Sequence, residues 1–506
     1  MRNVLEYMER SAIRYPKKDA IVDEYGSCSY EELLQKSRRI GSGLLGRIAR
    51  EMPIPVLLEK GINAITSFFG IVYAGNCYVM LNPELPVSRL KQVKQVIETP
   101  LVITDEKHKE LALELFLPEE ILLVEDLEKT EICADKLQSI RESMIDVEPL
   151  YANFTSGSTG VPKGVVINHR SVIDFIDVFT DLFQIKEEDI IANQAPFDFD
   201  VSVKDLYSTM KTGATLVVVP RGLFSRPAEL LDFLCNHEIT TMIWAVSALC
   251  LITTFHGLDY KVPTNVNKVI FSGEVMPLKH LQIWMHHLPK AEFINVYGPT
   301  EITCNCTYYR ITRQEDLTNG IPIGKAFPNE QIILLGEQNR LITEPGEIGE
   351  ICVRGTALGM GYYNSPLQTK ECFIQNPIHN RFIDPIYRTG DLGRFDSEGN
   401  YYFLGRKDFQ IKHMGHRIEL EEVEKAMMEI TGIQRACCVF EESRSKLYGF
   451  YIGKPDKKEV YRGMKETLPI FMVPGTLVQV EQMPMTKNGK IDRKQLLESV
   501  GRKKNG

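Results

Sequence analysis

Between Tyr151 and Val165 the chain reads YANFTSGSTGVPKGV, in which the hydroxyls of Thr155, Ser156, Ser158 and Thr159 alternate with Gly157, Gly160 and Gly164, and Lys163 adds a cation. Glycines let a backbone fold back until its amides converge, hydroxyls add donors, and a lysine adds charge; together they suit a polyphosphate. The nucleoside-triphosphatase pattern G-x-x-x-x-G-K-[ST] does not fit, because Pro162 stands where its second glycine belongs and Gly164 where its hydroxyl belongs. A solvated Ser/Gly turn shares this composition. The apolar runs Leu150 to Phe154 and Gly164 to Ile167 read as strands on either side, and strands would clamp the loop in place.

A second string able to do chemistry is FINVYGPTE, from Phe293 to Glu301. It reads as a strand ending in Tyr297, a Gly-Pro turn, then Thr300 beside Glu301. Tyr297 offers a flat face to adenine and Thr300 a donor to phosphate. Glu301 offers a hard oxygen to Mg²⁺, which takes few protein carboxylates and completes its shell with phosphate oxygens. A plain strand and turn is the alternative. In APFDFDVSVKDLY, Asp200 is a carboxylate in apolar surroundings and needs a partner. The backbone amides of a helix that Asp200 caps would serve, with Lys204 and Asp205 as an exposed pair. Lys490 follows the tight turn Asn488-Gly489, either held there for catalysis or lying on a surface hairpin.

These motifs, in this order, resemble the adenylate-forming superfamily: amino-acid adenylation domains of nonribosomal peptide synthetases, D-alanine:carrier-protein ligases, acyl-CoA synthetases and luciferases. The resemblance covers essentially the whole chain. It implies that the 155–160 loop, Asn295, Tyr297, Thr300, Asp391 and Arg406 bind ATP, with Asp391 of YRTGDL accepting the ribose hydroxyls, although a salt-bridged turn would also read this way. It places Glu301 on Mg²⁺ and Lys490, Lys163 and Arg406 in catalysis. It lines the substrate site with Asp200, Val201, Lys204, Trp244, Ile270, Ser272, Val296, Cys304 and Asn305. Asp200 would pair with the α-ammonium of an amino acid. Ser272 stands where many D-alanine-activating relatives carry cysteine. Lys204 fits an acidic or hydrogen-bonding substrate side chain, or else leans on Asp205 or reaches water. Asp408 would be the hinge, and Gly415 would let a phosphopantetheine arm pass close to the backbone.

Length and composition suit a globular protein of two domains, with 506 residues, 43% hydrophobic and 25% charged. A formal charge of −8 supplies no broad basic face for nucleic acid. The N-terminus builds no signal-peptide core and no apolar run is long enough for a bilayer, so a cytoplasmic protein without membrane insertion is expected. Eleven scattered cysteines read as buried reduced thiols.

Val4, Leu5 and Met8 mark a helix stopped by Pro16, Ser29 with Glu32 caps another, and Asn168 to Ser171 opens a third with His169 capping or packing. Strand and helix segments alternate up to the FINVY strand, as in a parallel sheet covered on both faces. Residues 346–363 read as an all-strand section, and Leu420 to Met428 as an acidic helix. The expected fold is α/β. A large N-terminal domain, residues 1–407, has mixed and parallel sheets flanked by helices; a small mobile α+β lid, residues 408–506, carries Lys490.

The expected activity is ATP-dependent formation of an aminoacyl-AMP and pyrophosphate. Transfer to the phosphopantetheine thiol of a separate carrier protein follows, since the chain ends soon after Lys490 without a carrier domain. Length and layout most resemble D-alanine:carrier-protein ligases. The alternatives are a stand-alone adenylation enzyme for another amino acid, an acidic one among the candidates, an acyl- or aryl-CoA ligase, and a nucleotide-binding protein without turnover.

Overall fold

In a computed structural model of the chain, residues 1–157, 161–313, 317, 320–485 and 491–502 are described. Helices begin where the sequence supplies caps. The Ser29 hydroxyl accepts from the Glu32 amide while the Glu32 carboxylate accepts from the Ser29 amide, opening Tyr30–Leu44. Asn168 Oδ1 accepts from the Ser171 amide at 2.8 Å and opens His169–Leu182. His169 is fully buried, and its Nδ1 accepts from the Val4 amide. The helices Leu5–Arg14 and Leu420–Met428 also form.

Among the described residues the largest sheet has nine strands. In spatial order they are Lys325–Ala326, Thr307–Ile311, Glu292–Tyr297, Lys268–Ser272, Thr241–Ala245, Ile190–Asn193, Thr215–Val218, Asp19–Asp23 and Gly26–Ser29. Its inner pairings are parallel and its outer ones antiparallel. A second sheet of seven strands includes Pro53–Leu57, Cys77–Leu81 and Val102–Thr104 in parallel, with Pro149–Thr155 and Lys163–Asn168 flanking the 155–163 loop. A third is antiparallel and pairs Pro385–Phe395 with Tyr401–Arg406. The stretch expected to be all strand is followed directly by a helix, Pro366–Cys372, with proline at its first turn.

Contacts group the chain into two compact units, each with its own core. The larger comprises Met1–Pro83, Ile97–Asn153 and Gly164–Lys407; Phe68, Phe69, Phe175 and Phe179 are among its fully buried rings. The smaller comprises Asp408–Gly506 together with Glu84–Val96 and Phe154–Lys163, two stretches the sequence assigned to the N-terminal domain. Its own bonds explain the difference. The buried Arg89 Nη1 donates to Glu422 Oε1 at 2.6 Å, the Ser88 hydroxyl to the Glu466 carbonyl at 3.0 Å, and the Ser156 hydroxyl to the Arg417 carbonyl at 2.7 Å. Ile418, Val423, Met427, Leu447 and Val460 fill its core. No helix among the described residues is long and apolar enough to cross a membrane.

Candidate active site

Strand alternation in the nine-stranded sheet sorts the candidate residues. Ile270 and Ser272 lie on one face of Lys268–Ser272, and register sets Ile294 and Val296 of the next strand beside them. Val296, Ile270 and Cys304 belong to one buried cluster, against which Val201 packs. Asn295 and Tyr297 take the opposite face. Trp244 corrects the sequence expectation: it is paired with Phe271, packs in a different core cluster against Phe224, and donates from Nε1 to the Ala192 carbonyl at 2.9 Å. Ala245, paired with Ser272, occupies the site face of that strand.

Helix Val201–Thr212 supplies the charged residues. Asp200 has helical backbone angles and its side chain makes no capping bond, so the N-cap reading is set aside. Its charge is felt at the Tyr151 hydroxyl and the Cys304 thiol. Lys204, one turn on, neither reaches water nor forms an exposed pair. It is completely buried, and Nζ donates to Asn305 Oδ1 at 2.8 Å and to Ser272 Oγ at 3.4 Å. Asp205 is equally buried and accepts from Asn193 Nδ2 at 2.8 Å.

On the other face, the Tyr297 hydroxyl donates to Asp391 Oδ2 at 2.5 Å, and Arg406 Nη1 donates to Asp391 Oδ1 at 2.5 Å and to the Thr389 carbonyl at 3.0 Å. Asp391 and Arg406 are opposite one another on paired strands, not within a turn. Burial, and then the Asp391 charge, raise the Tyr297 phenol well above its ordinary value, so it remains a donor. Asn295 Nδ2 donates to the Pro322 carbonyl at 2.8 Å. Thr300 and Glu301 lie in a buried 3₁₀ turn, where the Tyr362 hydroxyl donates to Glu301 Oε1 at 2.7 Å. Among the described residues no group of three or more His, Cys, Asp or Glu side chains could enclose a metal. One buried carboxylate fits Mg²⁺ only where phosphate oxygens and water supply the other ligands.

The two faces meet at Gly298. A Cβ there would stand 2.5 Å from Asn305 Cα and 2.6 Å from the Cys304 carbonyl oxygen. Thr303 and Cys304 have φ of 56° and 91°, and the Thr303 hydroxyl donates to the Ala357 carbonyl at 2.7 Å. This left-handed pair turns Asn305 toward Lys204.

In the smaller unit, Thr155 ends its strand and Ser156 is buried. A Cβ on Gly157 would collide with the Val161 carbonyl oxygen, so that position takes only glycine. Lys163 Nζ lies 3.9 Å from Glu419 Oε1. Asp408 Oδ1 accepts from the Gln410 amide at 3.1 Å. Gly415, with φ of 79°, and Met414, with φ of 53°, form the two-residue turn between Gln410–His413 and His416–Glu419. Ser158, Thr159, Gly160 and Lys490 lie outside the described residues.

Sequence reasoning missed Tyr362, Lys60 and Asn193. Lys60 donates to the Asn193 and Gln194 carbonyls and to Asn193 Oδ1, at 3.1–3.3 Å. A cation between the apolar strand Pro53–Leu57 and the apolar helix Ile62–Tyr73 was its available signal.

The family model described as AMP-binding enzyme matches residues 8–363, and that of the AMP-binding enzyme C-terminal domain matches residues 422–490. Zwittermicin A synthase ZmaJ of Bacillus cereus is 31% identical over 508 residues, covering 97% of this chain and 94% of its own length. Tyrocidine synthase 3 of Brevibacillus parabrevis is 32% identical over 99% of this chain, which spans only 8% of that protein. The Vibrio cholerae adenylation domain AlmE, solved with glycyl-adenosine-5'-phosphate, shares the fold, with a TM-score of 0.86 at 22% identity over 99% of this chain and 98% of its own.

Proposed function

We propose, since this chain belongs to the AMP-binding enzyme family, that it activates an amino acid by joining its carboxylate to AMP drawn from ATP, with release of pyrophosphate. The aminoacyl group then passes to the phosphopantetheine thiol of a carrier protein. Asp200 carries the amino-acid half of this reading. It is half-buried, begins a helix without capping it, and its charge acts at the buried Tyr151 hydroxyl and Cys304 thiol, where an incoming α-ammonium would meet an opposite charge.

Asp391 is suited to accept ribose hydroxyls, with Tyr297 and Arg406 fixing its two oxygens from opposite sides. The 155–160 loop and Lys163 suit the phosphates. Lys490 is the cation that the family resemblance puts between the substrate carboxylate and the α-phosphate. A carboxylate attacks ATP against the repulsion of the phosphates, and these cations lower that barrier by stabilising charge that builds on the α-phosphate in an in-line attack. Mg²⁺, for which Glu301 is the candidate protein ligand, would supply further charge neutralisation. No protein nucleophile is needed. D-alanine, which the layout suggests, has a methyl side chain that makes no use of the buried Lys204, so a polar amino acid is favoured.

The test is ATP–pyrophosphate exchange with wild type and Asp200→Ala. Asp200→Ala is expected to raise the amino-acid KM by about 10–100-fold, the worth of a hydrogen bond to a charged group, and to leave the ATP KM within about twofold. Preference for acids lacking an amino group, with transfer to free coenzyme A, would overturn the reading in favour of a CoA ligase.

A further inference from the structure

Four charges lie along one side of the sheet, and their partners can be counted. Lys204 is fully buried, and two of its three ammonium donors go to neutral oxygens, Ser272 Oγ and Asn305 Oδ1. The third faces the Cys304 sulfur, a weak acceptor. Among the described residues Lys60 also donates to neutral oxygens, those of Asn193 and Gln194. Between the lysines lies Asp205, whose Oδ2 takes Asn193 Nδ2 and whose Oδ1 is buried without a hydrogen-bond partner among the described residues. Both ammonium charges act on this carboxylate.

Asp200 is the fourth charge, one helical turn before Lys204 and therefore on the same helix face. Among the described residues these two cations and two carboxylates balance. Asp198, bonded to Asn82 Nδ2 at 3.4 Å, stands outside the count because neither lysine acts on it, and the exposed Arg221 adds only to the positive side at Lys60.

Binding an amino acid upsets this balance. Its α-ammonium engages Asp200, and its α-carboxylate, the reacting group, is taken up with the α-phosphate and the cations there, so among the described residues Asp205 is the carboxylate left to Lys60 and Lys204. A buried ammonium without a counter-charge costs several kcal/mol. We infer that the substrate brings the missing anion: its side chain carries a carboxylate that pairs with Lys204, while Lys60 and Asp205 complete the charge balance behind it. The Cys304 sulfur is the contact such a carboxylate replaces. Burial lowers the Lys60 ammonium to about 7 and raises the Asp205 carboxyl to about 7, each the mark of a charge short of compensation. The inference rests on the amino-acid reading of Asp200.

The experiment is pyrophosphate exchange by the wild-type protein with aspartate, glutamate and 2-aminoadipate in both chiral forms, against asparagine, glutamine, D-alanine, leucine and lysine, and against succinate and glutarate. One acidic amino acid is expected to exceed its own amide by at least about 100-fold in kcat/KM, since the amide leaves a buried charge unpaired. Lys204→Met should cut use of that acid by about the same factor and bring the acid-to-amide ratio near or below unity. A neutral or basic amino acid as best substrate overturns the inference and leaves amino-acid activation standing. An unchanged acid-to-amide ratio in Lys204→Met, with the acid still used, also overturns it. Exchange only with acids that lack an amino group overturns both readings.

Discussion

Asp391 takes the Tyr297 hydroxyl on one oxygen and Arg406 on the other, so its orientation is fixed before any sugar arrives. Tyr297→Phe removes one of those two donors and keeps the ring. We expect the ATP KM to rise by about tenfold or more, the worth of one hydrogen bond to a charged group, with the amino-acid KM unchanged; initial-rate kinetics with each substrate varied would show it. Glu330 gives a stability prediction away from the chemistry. Burial, with the Asp174 charge adding to it, pushes its carboxyl up from 4.5 to about 8 against the opposing Ala357 amide, while its Oε2 is buried without a hydrogen-bond partner among the described residues. A group raised in the folded state binds its proton there and loses it when unfolded. The stabilisation is therefore complete below about pH 4.5, declines as pH rises, and is gone by about pH 8. Glu330→Gln has no proton to lose. It should match wild type near pH 5 and melt a few °C higher near pH 8; equal melting differences at the two pH values would refute the buried-proton account.

At the scale of elements, one turn ties the two faces of the sheet together. Gly298 follows the strand that carries Val296 and Tyr297, and its missing side chain leaves room for the Cys304–Asn305 backbone, from which the Asn305 side chain accepts from Lys204. Gly298→Ala should displace that backbone by several tenths of an ångström. The amino-acid KM should then rise by about tenfold or more, because a small misplacement at a substrate site is costly, while the circular dichroism spectrum stays native. An amino-acid KM at the wild-type value would show that the loop shifts without consequence. Elements of this kind were legible because local signals set them: the capping box at Ser29, the cap at Asn168 and the strands around the 155–163 loop all form. What the sequence hid was long-range. Nothing in the chain fixes which phase of a five-residue buried strand faces the site, so Trp244 was chosen where Ala245 lies. Lys60, Asn193 and Asp205 come from three separate segments, and only tertiary packing reveals the charge count they make with Lys204 and Asp200. Helix Val87–Val96 likewise joins the smaller unit through Arg89, a partnership with no local signature.

At the scale of the whole molecule, the two units have separate hydrophobic cores, each large enough to unfold cooperatively by itself. Tyr297, Asp391 and Arg406, the residues suited to adenosine, all belong to the larger unit. A ligand that binds only the folded form raises stability by RT ln(1 + [L]/Kd), about 2.7 kcal/mol at 100 times Kd, and does so for the cooperative unit that contains its contacts. Scanning calorimetry should therefore resolve two transitions, and AMP should raise the one belonging to the larger unit. Hydrogen exchange read by mass spectrometry assigns them: AMP should slow exchange in Glu292–Tyr297 and Pro385–Phe395 and leave Ile433–Glu441 at its free rate. A single transition that moves as a whole, with protection spread equally over both units, would mean that they unfold as one body; nucleotide binding would then stabilise the chain globally and not through the Tyr297–Asp391–Arg406 cluster alone.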